Sequence, residues 1–306
     1  MSEKMKKKLY IFGGNGFVGK NIVRTYAKEY DLVVFSRSFD EVFFKQYPQV
    51  ECVQIDLEKD LIPRIYDAPD FIINLVSIVT AERSLSLFDS LVSSNVKVLV
   101  NLYQRFSGSD LKLFIQFGSV EEYGNICPPY QEDFRESPDS PYGLVKQLTT
   151  NMALMLYRNY GFPVVVVRPS NLYGPFQAKN KFIPYVVESL KRGDSIDVTF
   201  CEQKRDFIYV TDFVDILMSL FDKCDLIKGE IINIGSGRSI ELRAIIEMIR
   251  SQIETCSSVN YGAIPYRENE AMDLCCSIGK LERLLGCRLD LNNTKRISEY
   301  LTCFDL

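Results

Sequence analysis

The stretch KKLYIFGGNGFVGKNIVRTYAKEY, residues 7–30, decides the fold. Its apolar run at 9–12 reads as a buried strand, and Ile22, Val23 and Tyr26 beyond the glycines keep helical spacing. Strand, glycine turn and helix in that order open a dinucleotide-binding sheet. Gly13, Gly16 and Gly19 are spaced GxxGxxG, one residue off the usual GxGxxG. Gly13 allows the tight turn, Gly16 lets the backbone approach a pyrophosphate, and Gly19 lets the helix pack close to the strand. The helix N-terminus then attracts the phosphates.

Further strands are expected at 32–35, 50–55, 71–76, 111–117 and 163–167, with helical stretches near 17–28, 86–106 and 142–159. This alternation predicts an α/β chain with a Rossmann-type doubly wound parallel sheet. The proline-rich segment at 127–142 reads as a loop that delivers Tyr142 to the start of its helix. After about residue 170 the pattern becomes irregular. We expect residues 1–170 to form the dinucleotide-binding domain. Residues 171–306 would form a smaller portion capping the carboxyl ends of the strands, with some chain returning to the sheet.

A chain of 306 residues, 46% hydrophobic, can bury a full core. A net charge of −4 gives no reason to expect nucleic acid or membrane as a partner. No apolar run approaches the ~20 residues of a membrane span, and no signal peptide is visible. Nine cysteines, an odd count without C-x-x-C spacing, suggest reduced thiols and a cytoplasmic location. There is no histidine, which excludes Ser-His hydrolysis and any histidine-ligated metal; no metal site is expected.

A tyrosine-based acid/base remains open, and SPYGLVKQ supplies one. Tyr142 and Lys146 are four residues apart, on one helix face. A phenol ionises near pH ~10, and a fixed ammonium beside it is expected to bring that value down. At the end of the second strand, VVFSRS places Ser36 and Arg37 where an acidic residue usually bonds the adenine ribose of NAD. A guanidinium and a hydroxyl suit a 2′-phosphate, so NADP(H) is the expected cofactor. Asp56 and Leu57, just after the third strand, would either contact the adenine amino group or belong to a plain loop.

Together GGNGFVG, Asn95 in SSNVKVLVNL, FGSVEEYG (117–124), PYGLVK (141–146), RPSNLYGP (168–175), NKFIPYVV (180–187), RDFIYVTD (205–212) and NIGSG (233–237) carry a resemblance. The chain resembles the extended short-chain dehydrogenase/reductase family, the NAD-dependent epimerases and dehydratases, over nearly its whole length. The stretches NKFIPYVVESL, EQKRDFIYVTDFVD and YGAIPYRENEAMD are most similar to its nucleotide-sugar 4-ketoreductases. The resemblance implies roles. Ser119 would hydrogen-bond the reacting sugar oxygen, Tyr142 would be the acid, and Lys146 its activator and a ribose ligand. Gly13, Gly16, Phe17, Val18 and Gly19 would line the cofactor. Ser77, Glu121, Asn171, Lys181, Arg205 and Arg267 would meet the nucleotide sugar. Asn95 would either organise a water or cap backbone groups. Glu121 and Glu122, if not used, would be a solvated acidic pair.

The family's 4,6-dehydratases carry Thr-Asp-Glu where this chain has Ser119-Val120-Glu121, and valine cannot supply the acid for water loss. The resemblance therefore implies NADPH-dependent reduction of a CDP- or dTDP-linked 4-keto-6-deoxyhexose, yielding a 6-deoxyhexose for surface polysaccharide such as the O-antigen of lipopolysaccharide. A 4-epimerase with tightly bound NAD and a non-catalytic NADP(H) sensor are the alternatives. The apolar helix at 142–159 is compatible with a homodimer.

Overall fold

The computed structural model describes residues 6–63 and 66–304. It runs β1 (Lys8–Phe12), α1 (Phe17–Tyr26), β2 (Asp31–Ser36), α2 (Glu41–Phe44), β3 (Glu51–Gln54), β4 (Phe71–Asn74), α3 (Phe88–Val92), α4 (Val98–Phe106), β5 (Leu113–Phe117), α5 (Pro141–Tyr160) and β6 (Val164–Pro169). It continues β7 (Asn171–Tyr173), α6 (Phe182–Arg192), β8 (Ile196–Val198), β9 (Lys204–Tyr209), α7 (Val210–Ser219), α8 (Cys224–Ile227), β10 (Ile231–Ile234), β11 (Ser239–Glu241), α9 (Leu242–Arg250), β12 (Val259–Tyr261), β13 (Asp273–Leu274), α10 (Gly279–Leu285) and α11 (Asn293–Cys303).

Seven strands form one sheet in the order β10-β6-β5-β4-β1-β2-β3. The pairs β3–β2, β2–β1, β1–β4, β4–β5 and β5–β6 are all parallel. This is the expected doubly wound sheet, and its order reverses between β1 and β4. Helices cover both faces of such a sheet, so its central strands have no polar side. Accordingly β4 and β5 are buried at every residue. The stretch expected to be helical at 86–106 is α3 and α4 joined through a π-helical turn at Ser93–Lys97.

The chain divides into two compact units, each discontinuous in sequence. The first takes the chain up to Gly124, then Arg135–Arg168 and Ile216–Ile232; the second takes Asn125–Phe134, Pro169–Asp215 and the chain from Asn233 on. The core of the first is aromatic around β1 and β2, where Phe12 stacks on Phe35 with ring centres 4.6 Å apart and Tyr10 meets Phe35 edge-on. The core of the second gathers Tyr173, Val186, Phe207, Ile245, Ile249 and Tyr300. There the buried Asp206 accepts from the Ser236 amide (2.7 Å), the Ser236 hydroxyl (2.6 Å) and the Gly237 amide (3.2 Å). That fixes the NIGSG turn, a structural use of this motif.

Two glycines of the first turn are required by their surroundings. Gly13 has φ +77°, a left-handed conformation that other residues adopt at a cost. A Cβ on Gly19 would collide with the Gly14 backbone, so α1 sits against the turn at a distance only glycine permits. Gly19→Ala should destabilise the protein by about 1–3 kcal/mol, the usual penalty for forced overpacking. A thermal melt of the variant checks this, and an unchanged midpoint would refute the packing argument.

Candidate active site

β5 ends at Phe117, and the chain turns at once through Gly118 and Ser119. Ser119 caps a single helical turn, Val120–Glu122. Its hydroxyl accepts from the Glu121 amide at 3.2 Å, while its own amide donates to Glu122 Oε1 at 2.8 Å. This reciprocal pairing is a capping box. The Glu122 carboxylate then receives Arg168 through Nε at 2.9 Å and Nη2 at 2.6 Å, and the same Nη2 reaches Glu136 at 2.6 Å. Glu122 and Arg168 are both fully buried. The expectation of a solvated pair at 121–122 therefore fails for Glu122. Burial pushes its carboxyl up, and Arg168 and the Ser119 amide pull it back. With three N–H donors converging on its two oxygens, the ionised form is the one that fits.

Tyr142 and Lys146 arrive from the first turns of α5. Ser140 caps that helix by accepting from the Gly143 amide at 3.0 Å, and Pro141 occupies the first helical position, where its missing N–H loses nothing. A Cβ on Gly143 would lie 2.6 Å from the Glu121 carbonyl, so the helix start presses directly on the Ser119 turn. Both side chains are buried. Lys146 Nζ donates to the Phe117 carbonyl at 3.0 Å and lies 5.7 Å from the centre of the Tyr142 ring. The Tyr142 hydroxyl feels hydrogen bonding from Ser119 and Ser77. Ser119, Tyr142, Lys146 and Ser77 are thus brought together.

The electrostatics depart from expectation. Burial pushes the Tyr142 phenol well up, the Glu121 charge adds to it, and hydrogen bonding to Ser119 only partly opposes it. Burial also pushes Lys146 down to about 8, against the opposing pull of Glu122. The direction for Tyr142 in the ligand-free protein is opposite to the expected lowering, because desolvation by burial outweighs the hydrogen bonding that favours the phenolate.

Asn95 is fully buried in the π-helical turn, where its Nδ2 donates to the Leu91 carbonyl at 2.9 Å and its Oδ1 is buried without a protein partner, so neither of its two expected uses is set aside.

The glycine turn fits a pyrophosphate. Gly16 caps α1 with no side-chain hydrogen bond, and the first turn, with Phe17 and Val18, holds no acidic residue. A Cβ there would meet only the Gly13 carbonyl oxygen, at 3.3 Å. Of the residues expected around the adenosine end, Ser36 ends β2, and Arg37 is exposed with Glu58 at 3.7 Å. Asp56 pairs with Lys59 at 3.2 Å, and Leu57 is buried. One group escaped the sequence reading. The Asp40 amide donates to Asn15 Oδ1 at 3.0 Å, and its carboxylate takes Lys20 Nζ at 2.7 Å, tying the loop after β2 to the glycine turn. Lys20 holds the Asp40 carboxyl below its usual range. A capping aspartate before Val42-Phe43-Phe44 was the available signal.

Asn171, Lys181, Arg205 and Arg267 belong to the second unit. Asn171 opens β7, Lys181 precedes the first turn of α6 without a side-chain cap, and Arg267 is exposed. Arg205 on β9 is engaged by Glu270 and by the Ala271 carbonyl at 2.8 Å. Among the described residues no cluster of three metal-ligating side chains occurs, and no helix is long and apolar enough to cross a membrane.

Two outcomes test this geometry. Arg168→Met would strand Glu122 in the core and should destabilise by about 3–5 kcal/mol, with most recovered in the Arg168→Met/Glu122→Met double variant. Thermal melts of both decide it: a double variant no more stable than the single would contradict a buried ion pair. For Lys146, the folded value of about 8 lies below the ordinary 10.5. Between these values the unfolded chain binds more protons, so stability should rise with pH there. The wild-type advantage over Lys146→Met should therefore grow by roughly 3 kcal/mol from pH 8 to 10.5. A difference that stays flat in denaturant titrations across that window would refute it.

Residues 9–235 match the NAD dependent epimerase/dehydratase family. The chain is similar to a CDP-abequose synthase of Salmonella muenchen, with 27% identity over 97% of this chain and 98% of that protein. Its fold is that of the UDP-N-acetylglucosamine 4-epimerase from Methanobrevibacter ruminantium M1, solved with UDP-N-acetylmuramic acid (TM-score 0.89, 21% identity, 99% of each chain). It is also that of the UDP-glucuronic acid 4-epimerase from Bacillus cereus, solved with UDP-glucuronic acid and NAD (TM-score 0.86, 20% identity, 97% of this chain and 99% of that one). A glycine turn open to a pyrophosphate, a buried Ser-Tyr-Lys set beyond β5 and a match over residues 9–235 agree: the chain belongs to the NAD dependent epimerase/dehydratase family.

Proposed function

We propose that this protein is a nucleotide-sugar 4-ketoreductase, reducing a CDP- or dTDP-linked 4-keto-6-deoxyhexose. The observations that carry the reading are the buried set of Ser119, Tyr142 and Lys146 at the end of β5 and, beside it, Val120 where a dehydratase needs an acid. Similarity to CDP-abequose synthase over almost the full length supports the same class.

When bound, the nicotinamide supplies a hydride to the carbonyl carbon. Gly13, Gly16, Gly19 and the first turn of α1 hold the pyrophosphate, Ser36 and Arg37 the ribose phosphate, and Lys146 the nicotinamide ribose. Tyr142 gives its hydroxyl proton to the developing alkoxide, and Ser119 donates a hydrogen bond to the same oxygen. Val120 supplies no acid for dehydration, which leaves Glu121 to bond a sugar hydroxyl. Lys181 and Arg267, with Asn171, are assigned to the nucleotide diphosphate, which needs cationic and amide donors. Arg205 joins them only by sharing its guanidinium with Glu270.

The second reading is a 4-epimerase that retains NAD, and Asp40 favours it. A carboxylate beside the glycine turn, kept ionised by Lys20, is an acceptor suited to a ribose hydroxyl. Incubation with NADPH and candidate 4-keto-6-deoxy sugar nucleotides separates the two. Stoichiometric loss of cofactor absorbance is expected. Interconversion of sugars with no added cofactor, by protein purified with NAD bound, would replace the reductase reading. Tyr142→Phe should lower kcat by about 10²–10⁴-fold, the range for a lost acid, while cofactor binding measured by calorimetry stays within a few-fold.

A further inference from the structure

The ladder between β4 and β5 ends at the pair Asn74↔Gln116. A parallel ladder continued one step further would bond the Val76 amide to the Phe117 carbonyl. That rung is missing. The Val76 amide donates instead to Asn74 Oδ1 at 3.2 Å. Asn74 Nδ2 donates to Gln116 Oε1 at 2.9 Å, and Gln116 Nε2 donates to the Phe117 carbonyl at 3.1 Å. Two fully buried side-chain amides thus replace one backbone bond. The Phe117 carbonyl thus accepts from the Gln116 side chain where a ladder would give it a backbone amide, and its second acceptor position takes Lys146 Nζ at 3.0 Å.

A buried amide pair in an otherwise apolar sheet carries a desolvation penalty that two leucines would not. Its hydrogen bonds are spent on the two ends of the missing rung, one preceding Ser77 and the other holding Lys146. We infer that Asn74 and Gln116 are positioning residues: by standing in for the Val76–Phe117 rung, they aim the Phe117 carbonyl at Lys146 and set where its amine lies. The titratable groups facing that amine are Glu122, from the turn after β5, and Tyr142, from its own helix. With Asn74 replaced by leucine, the Val76 amide is free to close the rung and compete with Lys146 for the carbonyl. With Gln116 replaced by methionine, the carbonyl loses the donor that fixes its direction. Either change weakens the hydrogen bond that holds the buried amine.

The inference rests on Lys146 serving the reaction, but its first test does not. Protein carrying 13Cε-labelled lysine is titrated without ligand, with Lys146→Met identifying the resonance. Asn74→Leu and Gln116→Met should each lower the midpoint of Lys146 by at least about half a unit, roughly threefold in its protonation equilibrium. A midpoint unmoved in both variants, in protein whose thermal melt shows it folded, overturns the inference. In the ketoreductase assay, kcat should then fall about tenfold while KM for the sugar nucleotide changes less than about twofold. A midpoint shift without any turnover in wild type would refute the proposed reaction and leave the positioning role standing.

Discussion

The interaction on which the candidate site depends is the buried ion pair of Glu122 and Arg168. Three segments distant in sequence meet there: the turn leaving β5, the end of β6, and the approach to α5 through Glu136. Each charge alone would be strongly unfavourable in a core; together they offset each other, with the Ser119 amide as a third donor to the carboxylate, while Arg168 Nη1 is buried without a hydrogen-bond partner. The geometry of Ser119 follows, because its amide is one of the groups the carboxylate holds. Gly118 makes room for this, since a Cβ there would collide with Glu122 Oε1.

Close approach is the second constraint. α5 reaches the Ser119 turn only because Gly143 has no side chain to strike the Glu121 carbonyl. Ser140 and Pro141 fix where the helix begins, and the 3.6-residue repeat then sets Tyr142 and Lys146 on the side facing β5. Capping, a glycine contact and helical periodicity therefore act in sequence to bring a phenol and an amine to one strand end. Tyr142 packs in a cluster with Leu91 and Val145, Lys146 is likewise buried, and burial sets the proton affinity of both.

Much of this was legible from residues 7–30 and from the apolar runs. Strands buried on both faces must be mostly apolar, so the runs at 9–12, 71–73 and 113–115 declare themselves without reference to partners. The Tyr142–Lys146 spacing was equally local. What escaped depends on partners far along the chain. Glu122 beside Glu121 looks like a solvated pair; its guanidinium lies 46 residues on, just after a run of four valines. Asn74 and Gln116 pair across 42 residues and carry no spacing signal. The direction of the Tyr142 shift was misjudged for a related reason. Proximity of an ammonium can be read from i and i+4, whereas depth of burial is a property of the finished fold.

Burial acts oppositely on the two groups, because it disfavours whichever form is charged: phenolate for Tyr142, ammonium for Lys146. The ligand-free pair therefore tends to a neutral phenol and, from about pH 8, a neutral amine. Lys146 donates an N–H to the Phe117 carbonyl in either protonation state, so its position survives the change. A site arranged this way separates two jobs that sequence alone merges. The carbonyl anchors the amine whatever its charge, and the charge itself is left to respond to what binds. An anionic group arriving beside Lys146 favours the ammonium, and a proton taken up there offsets part of the negative charge that forms when Tyr142 gives up its own.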